Sequence, residues 1–483
     1  MNEHRLFIGG AWEDGASSRE ILSPFSGKPV AACAQASAAQ MERALAAAAR
    51  AGKDFRKISR FGRSKLLLSM ARGLEARRAE LVDAIVAEAG KPRTLADGEV
   101  GRAIITFTLA AEEAKRLGGE VVPVDADSAG RAYAPAVSHW TPRGPILAIA
   151  PFNFPLNLVA HKVAPALAVG ASVIVKPPPQ APGASRLLAE IFAAAAAEAS
   201  DAREKIPAAA LQVVSGPNDV VGRAVGDPRI AILSFTGSDK VGWMLQAQAT
   251  RKKVILELGG NAAVIVAADA DLKRAAARCA YGAFAYAGQV CISVQRVLVQ
   301  KEALPKFTEL LLAETKNVAC GDPARPETVV GPLIDAAAAD RVMAWIEESR
   351  KDGAKVLCGG ARAGNVIAPA VLSGVKPTAK LACEEAFGPV VAVDSYGELG
   401  EAIETVNASR FGLQAGLFTD SAAAVRRAAE ELEVGGLMIN EVPTYRADNM
   451  PYGGVKDSGL GREGVRYTME EYCERRTVVE WRG

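Results

Sequence analysis

The 483-residue chain is long enough for about three domains of ordinary size, and its 49% hydrophobic and 23% charged residues are typical of a globular protein with a large core. Its 57 basic and 55 acidic residues leave a net charge of +2, which argues against nucleic acid or a membrane surface as a partner. The three histidines, together with seven dispersed cysteines that form no CxxC pair, argue against a metal site and against a disulfide framework.

The first part of the chain is predicted to be helical. Residues 40–118 are rich in Ala, Leu, Glu, Arg and Lys at helical spacing, and Gly90-Lys-Pro92 interrupts the pattern. Short alternating segments over residues 131–140 then predict a β-hairpin.

From residue 145 the pattern changes to strand–loop–helix units. Apolar strands are predicted at 145–150, 172–175, 211–215 and 230–235, with helices at 156–169 and 182–200. Such alternation indicates a parallel sheet covered on both faces. Asn153, Lys176, Gly216 and residues 236–238 follow the ends of these strands, where ligands bind in parallel sheets, so we expect them to converge on one cleft.

A second α/β segment is predicted from residue 258 to about residue 437. Its strands are expected at 262–267, 296–299 and 390–395, and its helices include 302–317 and 335–351. Residues 472–481 alternate like an edge strand, which could pair with the 131–141 hairpin or with a neighbouring subunit.

Two short segments carry the strongest functional signal. Cys291 lies in Tyr-Ala-Gly-Gln-Val-Cys-Ile-Ser, and 34 residues before it Glu257 lies in Leu-Glu-Leu-Gly-Gly. Small residues before a cysteine leave its sulfur free to attack, and a carboxylate beside glycines can act as the base for a later hydrolysis. A cysteine is more often a small buried apolar residue, and that interpretation suits the other six.

Seven motifs in the same order make the whole chain resemble the aldehyde dehydrogenase superfamily. They are Pro151-Phe-Asn-Phe-Pro155, Lys176-Pro, Phe235-Thr-Gly-Ser238, Glu257-Leu-Gly-Gly260, Gly288-Gln-Val-Cys291, Glu384-Glu-Ala-Phe-Gly-Pro389 and Pro451-Tyr-Gly-Gly-Val-Lys-Asp-Ser-Gly459. The resemblance implies an α/β fold of three parts. These are a Rossmann-like parallel-sheet coenzyme domain (1–122 and 143–256), an α/β catalytic domain (257–455) and a small β oligomerisation flap (123–142 and 456–483).

The reaction that the resemblance implies is oxidation of an aldehyde to a carboxylic acid, with NAD or NADP accepting the hydride. Cys291 would form the thiohemiacetal and then the thioester, Asn153 and the Cys291 N–H would stabilise the oxyanion, and Glu257 would activate the hydrolytic water. Lys162 and Glu463 would form a proton path behind Glu257, although each could equally be an ordinary surface charge.

The resemblance also assigns a coenzyme site. Its residues would be Ala150, Phe152, Lys176, Pro179, Gly216, Gly222, Thr236, Gly237, Ser238, Val241, Leu258, Gly259, Glu385 and Phe387. Lys176 would hold the adenosine ribose, Ser238 would meet the pyrophosphate near a helix start, and Glu385 would bind the nicotinamide ribose. NAD-preferring relatives often carry Glu where this chain has Pro179, so NADP or dual use becomes plausible.

The substrate site that the resemblance suggests includes basic residues. Arg102, Phe154, His161, Val290 and Arg446 fall where relatives line the substrate tunnel, which favours an aldehyde with an anionic tail. The segment 446–454 looks like the branch that handles lactaldehyde, phosphono- and sulfo-aldehydes, or glyceraldehyde 3-phosphate. Several phosphate-handling relatives have Arg at the position of Val290, which weakens phosphate specifically. Structural or surface roles for the three basic residues stay open.

Two alternatives to a hydrolytic enzyme remain at this point. An acylating member would pass the thioester to coenzyme A, although a retained Glu257 favours water, and a non-catalytic homologue would lack turnover altogether. We expect a homodimer or homotetramer and no bound metal. Because no signal-peptide pattern and no apolar run of about 20 residues is visible, we expect a cytoplasmic protein.

Overall fold

The computed structural model describes residues 2–482. Its helices begin and end, in chain order, as follows: α1 (Ala38–Phe55), α2 (Arg60–Ala76), α3 (Arg78–Ala89), α4 (Arg93–Arg116), α5 (Asn157–Val169), α6 (Gly183–Ala199), α7 (Asn218–Gly226), α8 (Asp239–Gln248), α9 (Leu272–Phe284), α10 (Leu304–Lys316), α11 (Ala336–Lys351), α12 (Lys380–Cys383), α13 (Leu399–Asn407), α14 (Ala422–Glu431) and α15 (Val465–Glu471).

The strands run through the whole chain. They are β1 (Asn2–His4), β2 (Leu6–Ile8), β3 (Ala11–Glu13), β4 (Ser17–Leu22), β5 (Pro29–Gln35), β6 (Gly119–Val122), β7 (Ala136–Pro142), β8 (Ile146–Ile149), β9 (Val173–Lys176), β10 (Leu211–Val213), β11 (Ile232–Thr236), β12 (Lys253–Glu257), β13 (Ala262–Val266), β14 (Val294–Gln300), β15 (Lys355–Cys358), β16 (Arg362–Ala363), β17 (Val366–Ile367), β18 (Ala370–Ser373), β19 (Val390–Tyr396), β20 (Phe411–Gly412), β21 (Gln414–Phe418), β22 (Gly436–Ile439), β23 (Val455–Lys456), β24 (Gly459–Leu460) and β25 (Cys473–Val478).

Two parallel sheets form the body of the molecule. The first has eight strands in the order β24-β12-β11-β8-β9-β10-β2-β3, and its five central strands, β12 to β10, are parallel. The second has seven strands in the order β15-β18-β19-β14-β13-β21-β22, parallel except for β15. The central strands β8, β11 and β13 are buried along their whole length, which explains their continuous apolar sequences.

A third sheet has the order β25-β7-β6, so the carboxyl-terminal strand is an edge strand paired with β7, as its alternation predicted. A hairpin was predicted at residues 131–140. Its second strand appears as part of β7, but its first strand is wrong, because β7 pairs with β6 at 119–122. Residues 129–132 instead form a helical turn, in which the Asp127 carboxylate accepts the backbone N–H groups of Ala129 and Gly130. This local capping replaces the extended conformation that the alternation suggested.

The carboxyl-terminal segment also reaches the first parallel sheet. β24 pairs antiparallel with β12, which places Gly459 opposite Glu257, and α15 packs against α5 and α4. The strand β6, in turn, lies before the boundary expected at residue 123 and belongs to the third sheet. Each parallel sheet has its own buried apolar core. Across residues 2–482, no helix combines the length and apolar character that a bilayer crossing demands.

Candidate active site

A cavity of about 410 Å³ lies near the third sheet, but the larger cavity, of about 630 Å³, opens where β8, β11 and β12 end. Asn153, Glu257 and Cys291 all line this larger cavity, so residues distant in sequence meet at one place. Its other lining residues are Pro151, Phe152, Leu158, Thr236, Gly237, Ser238, Asp239, Lys240, Leu258, Gly259, Arg341, Trp345, Lys380, Glu384, Glu385, Phe387, Arg410 and Phe411. We call this cavity the cleft, and it occupies the edge at which parallel sheets bind ligands.

The backbone before Cys291 is strained. Tyr286, Ala287 and Gly288 have φ angles of 54°, 55° and 68°, although the first two carry a Cβ that disfavours this left-handed region. At Gly288 a Cβ would lie 2.2 Å from the carbonyl oxygen of Gly388, so no larger residue fits there. Strain of this kind is typical of functional sites that the surrounding structure holds in place.

Several hydrogen bonds hold that turn. The Tyr286 hydroxyl donates to the Ala89 carbonyl at 3.1 Å. The Gln289 side chain donates to the Pro332 carbonyl at 3.2 Å and accepts the Ile334 N–H at 2.9 Å. These contacts fix the chain on both sides of the turn and therefore orient Cys291 toward the cleft.

The Cys291 sulfur lies 3.0 Å from the hydroxyl oxygen of Tyr452, a contact that the sequence analysis missed. Burial raises the pKa of the Cys291 thiol to about 12, and the Tyr452 hydrogen bond acts against this rise. The Arg446 guanidinium carbon sits 3.8 Å from the centroid of the Tyr452 ring. Val290 packs beside Cys291 in the small apolar cluster around Tyr452.

Asn153 is buried and lines the same cleft as Cys291. Its amide nitrogen donates to the Gln289 carbonyl at 3.0 Å, while its side-chain oxygen has no hydrogen-bond partner among residues 2–482. The amide keeps a second N–H that can reach a ligand. The pair Asn153 and Cys291 therefore has the composition of an oxyanion-binding site.

A buried ion pair supports the Asn153 loop from behind. The Lys91 ammonium pairs with Glu99, and both side chains are almost fully buried. The other Glu99 oxygen accepts the N–H groups of Leu156 and Asn157 at 2.9 and 3.0 Å, which caps the start of α5. The Lys91 nitrogen also lies 3.4 Å from the centroid of the Phe154 ring, so that residue is held by a cation–π contact.

Glu257 ends β12 and is only 3% exposed. Neither of its carboxylate oxygens has a hydrogen-bond partner in the part of the chain that the structure describes. Burial, and next the negative charge of Glu463, raise the pKa of Glu257 well above its usual range. A carboxyl group with a raised pKa is a better general base than an exposed glutamate.

Lys162, Glu463 and Arg446 form a buried charge network behind Glu257. The Lys162 ammonium lies 2.9 Å from one Glu463 oxygen, and Arg446 lies 3.2 Å from the other. Burial alone would raise the pKa of Glu463, but the two cations hold it well below its usual range. Because the side chains of Lys162 and Glu463 are 0% and 1% exposed, neither is a surface charge.

The predicted substrate residues Arg102 and His161 both pair with Asp448. The Asp448 carboxylate lies 2.7 Å from the Arg102 guanidinium and 2.8 Å from the His161 Nε2 atom. Burial, followed by the charge of Arg446, lowers the pKa of His161 to about 4, so the ring is neutral near pH 7. Arg102 is therefore neutralised and His161 is uncharged. Arg446 is itself paired with Glu463, but its Nε has no hydrogen-bond partner within residues 2–482.

The predicted coenzyme residues fall into two groups. Eight line the cleft, namely Phe152, Thr236, Gly237, Ser238, Leu258, Gly259, Glu385 and Phe387. Six lie outside its lining, namely Ala150, Lys176, Pro179, Gly216, Gly222 and Val241. Among these, Lys176 ends β9 beside β10, and burial and then the positive charge of Arg19 lower its pKa. Ser238 caps α8, where backbone N–H groups point outward and favour an anion.

Glu385 faces the glycines that follow Glu257. Its carboxylate accepts the Gly260 N–H at 3.1 Å, and a Cβ on Gly259 would lie 2.6 Å from it. Burial raises the pKa of Glu385 to about 7, against the effect of the Gly260 N–H.

Several cleft residues were missed by the sequence analysis. Arg410 joins Asp239 of α8 to Glu384 with contacts of 2.6 Å each, so it bridges the two parallel-sheet regions. Arg341 donates to the Ala386 carbonyl at 2.8 Å and stacks 5.2 Å from the Trp345 ring centroid. Arg410 and Arg341 lie outside the seven family motifs. Their position at the cleft depends on how distant segments pack, so the sequence did not indicate it. Throughout the described residues, no group of three or more His, Cys, Asp or Glu side chains is arranged to hold a metal ion.

Comparison with known proteins identifies the family. A model of the aldehyde dehydrogenase family matches residues 12–478. The chain belongs to the aldehyde dehydrogenase family. It is 39% identical over 480 residues to a 3-sulfolactaldehyde dehydrogenase of Priestia aryabhattai, with 99% of this chain and 98% of that protein covered.

Solved structures of other aldehyde dehydrogenases agree closely with this one. Aldehyde dehydrogenase 21 from Physcomitrella patens, in complex with the reaction product succinate, superposes with a TM-score of 0.95 at 35% identity, covering 100% of this chain and 98% of the other. The glyceraldehyde-3-phosphate dehydrogenase GapN from Methanocaldococcus jannaschii, complexed with NADP, superposes with a TM-score of 0.91 at 35% identity, covering 96% and 98%. The predicted family and α/β fold are confirmed, and this aldehyde dehydrogenase is an NAD(P)-dependent aldehyde oxidoreductase.

Proposed function

We propose that this aldehyde dehydrogenase oxidises a small aldehyde with an anionic tail to the carboxylic acid, through an acyl intermediate on Cys291 that water hydrolyses. The observation that carries the proposal is the meeting of Cys291, Asn153 and Glu257 in one cleft. Acyl transfer to water needs a nucleophile, an oxyanion donor and a base at one site.

In the first half-reaction, the Cys291 sulfur attacks the aldehyde carbon, and the carbonyl oxygen becomes an oxyanion. The Asn153 amide and the Cys291 backbone N–H donate hydrogen bonds to that oxygen, and loss of one such donor typically costs 10²–10³ in rate. The coenzyme, when bound, accepts the hydride from the substrate carbon. The substrate is then a thioester on Cys291.

In the second half-reaction, Glu257 takes a proton from water, and the resulting hydroxide attacks the thioester carbon to release the acid and the Cys291 thiol. The raised pKa of Glu257 and its free oxygens suit this role. Lys162 and Glu463 lie behind it and can pass the proton onward, since they form a buried and hydrogen-bonded pair. A base that serves water also favours hydrolysis over transfer to coenzyme A.

The residues of the cleft, together with Lys176 outside its lining, fit a dinucleotide coenzyme. Ser238 at the start of α8 would meet the pyrophosphate, Lys176 the adenosine ribose, and Glu385 the nicotinamide ribose hydroxyls. The free helix start and the half-buried Lys176 leave donors for a large anionic ligand. Pro179 adds no negative charge near Lys176, which is compatible with NADP as well as NAD.

Arg446 is the best candidate to bind the anionic tail. Arg102 and His161 are bound to Asp448. Arg446 is paired with Glu463 through one terminal nitrogen, but it keeps a buried Nε without a partner in the described chain and lies against Tyr452 beside the nucleophile. The Nε–H group of this guanidinium can donate a charge-assisted hydrogen bond to an oxygen of a sulfonate or carboxylate. The sulfonated substrate in the name of the Priestia relative and the succinate bound to aldehyde dehydrogenase 21 are consistent with this assignment.

The third sheet supports assembly into a homodimer or homotetramer. Its edge strand β25 is exposed, and Val121, Val137, Val478 and Trp481 are 68%, 47%, 53% and 67% exposed. An exposed strand edge beside apolar side chains is a typical subunit contact. Light scattering of the purified protein measures the number of subunits directly.

Reduction of NAD and NADP with a matched pair of aldehydes tests the proposed function. We expect 3-sulfolactaldehyde to be oxidised with a higher kcat/KM than lactaldehyde, which has no sulfonate, and coenzyme A to leave the rate unchanged. A charge-assisted contact is worth about 1.5–3 kcal/mol, so Arg446→Met should lower the ratio of the two kcat/KM values about 10- to 100-fold. Arg102→Gln is the control and should leave that ratio unchanged. Equal losses for both aldehydes in Arg446→Met would refute the tail-binding role.

A further inference from the structure

Tyr452 contacts the reactive atom of the enzyme. Its hydroxyl oxygen is 3.0 Å from the Cys291 sulfur, and the tyrosine is 3% exposed. When the sulfur is a thiolate it can only accept, so the tyrosine must be the donor in this pair. Hydrogen bonds in which one partner is charged are stronger than neutral ones.

The position of Tyr452 is fixed by its backbone and its neighbours. The Tyr452 N–H donates to the Glu463 carbonyl at 2.9 Å, and the Glu463 N–H donates to the Tyr452 carbonyl at 2.7 Å. The ring packs with Ile292 and Leu413. The hydroxyl is therefore held at the sulfur and loses little freedom when it binds a thiolate.

A cation lies on the ring of Tyr452. The Arg446 guanidinium is 3.8 Å from the ring centroid and is itself paired with Glu463 at 3.2 Å. A positive charge at the face of a phenol withdraws electron density, which makes its O–H group a stronger donor.

The other groups around the sulfur mostly oppose the thiolate. Burial disfavours the charged form, and the carboxyl groups of Glu385 and Glu257 add negative charge, whereas Arg446 acts in the opposite direction. The charged or titratable groups around the Tyr452 hydroxyl are largely the same as those around the sulfur. They are Cys291 itself, Arg446 and Glu257. The hydrogen bond from Tyr452 is thus the direct contact that favours the reactive form of Cys291.

We propose that Tyr452 is a further catalytic residue, whose hydroxyl donates a hydrogen bond to the Cys291 sulfur and stabilises the attacking thiolate, with Arg446 strengthening that donor through the ring. This inference rests on the proposed role of Cys291 as the nucleophile. A hydrogen bond to a charged group changes the thiolate population about 10- to 100-fold. A more basic thiolate is also more nucleophilic, with a Brønsted slope of about 0.4–0.5, so the net effect on rate at a fixed pH is about 3- to 16-fold.

Alkylation by iodoacetamide, followed against pH in the enzyme without coenzyme, tests the proposal. Tyr452→Phe removes one oxygen and keeps the ring under Arg446. We expect it to slow alkylation of the Cys291 peptide about 3- to 16-fold at pH 8 and to move the midpoint of the pH–rate curve upward. The kcat/KM profile for aldehyde oxidation should move in the same direction. Tyr396→Phe is the matched control, because its hydroxyl donates to the Val266 carbonyl in the second sheet, remote from the cleft.

Two results would overturn the role of Tyr452. One is a pH–rate curve for Tyr452→Phe that coincides with that of the unmodified enzyme. The other is a uniform loss of rate with an unchanged midpoint, which is the signature of altered packing alone. Because iodoacetamide carries no anionic tail and needs no coenzyme, the shift is measurable even if no aldehyde is oxidised, so failure of the proposed function and failure of this inference are separate outcomes.

Discussion

Enlargement of Gly260 should directly disturb Cys291, the proposed nucleophile. A Cβ at this position would lie 2.6 Å from the carbonyl oxygen of Cys291, and the next nearest atom belongs to Leu413 at 3.4 Å. Since the first contact is a backbone atom of the nucleophile itself, no side-chain rotation relieves it. Gly260→Ala should therefore displace the Cys291 backbone.

The displacement can be estimated from ordinary contact distances. Moving the Cys291 oxygen from 2.6 Å to a normal contact of 3.4 Å requires a shift of about 0.8 Å. A misplacement of about 1 Å at a reacting group costs on the order of 100-fold in rate. We therefore expect Gly260→Ala to lower kcat/KM by on the order of 10- to 100-fold, with coenzyme binding largely kept.

The assay compares Gly260→Ala with Gly98→Ala. Gly98 lies within α4, and apart from its chain neighbours and the nearby backbone of that helix, no described atom comes within 4 Å of the position of a Cβ there. Alanine there should keep full activity and stabilise the helix by about 0.5–1 kcal/mol. Thermal unfolding checks that both variants are folded, and coenzyme fluorescence checks binding. A Gly260→Ala enzyme with kcat/KM within twofold of the unmodified enzyme would show that the Cys291 backbone tolerates the shift, contrary to our reasoning.

Two further predictions concern coenzyme choice and acid stability. Pro179→Glu should weaken NADPH binding about tenfold and leave NADH binding unchanged, because the new carboxylate repels the 2′-phosphate; equal changes in both dissociation constants, measured by fluorescence titration, would disprove the assignment. His161 has a pKa of about 4 in the fold, below the usual 6.5, so its neutral form stabilises the native state above pH 6.5 and this contribution is lost as the pH falls to 4. Between pH 6.5 and pH 4 the free energy of unfolding should fall by about 3 kcal/mol less in His161→Gln than in the unmodified enzyme. Guanidinium titrations at both pH values measure this difference.

The parts of the structure that the sequence predicted well are local. The strand at residues 145–150 appears as β8, and the helix at 156–169 appears as α5, because continuous apolar runs and helical spacing are properties of short segments. Asn153, Glu257 and Cys291 each follow such an element or lie in a short motif. Of the residues expected to converge beyond the strand ends, Asn153 and residues 236–238 line the cleft, whereas Lys176 and Gly216 lie outside its lining.

The contacts that the sequence did not predict are those between distant segments. Tyr452 touches Cys291 across 161 positions, and Asp448 reaches His161 across 287 positions. No periodicity links such pairs, and a histidine or arginine in a sequence does not show which carboxylate neutralises it. The hairpin at 131–140 failed for a local reason, since the turn capped by Asp127 competes with extended structure.

The proposed thioester on Cys291 is tested directly by mass spectrometry of acid-quenched enzyme. Glu257→Gln removes the base that releases the acyl group, so mixing this variant with aldehyde and coenzyme should give one burst of reduced coenzyme. The peptide that contains Cys291 should gain the mass of one acyl group, while the other cysteine peptides stay unmodified. Steady turnover in Glu257→Gln without an adduct, or an adduct on a different cysteine, would contradict the account.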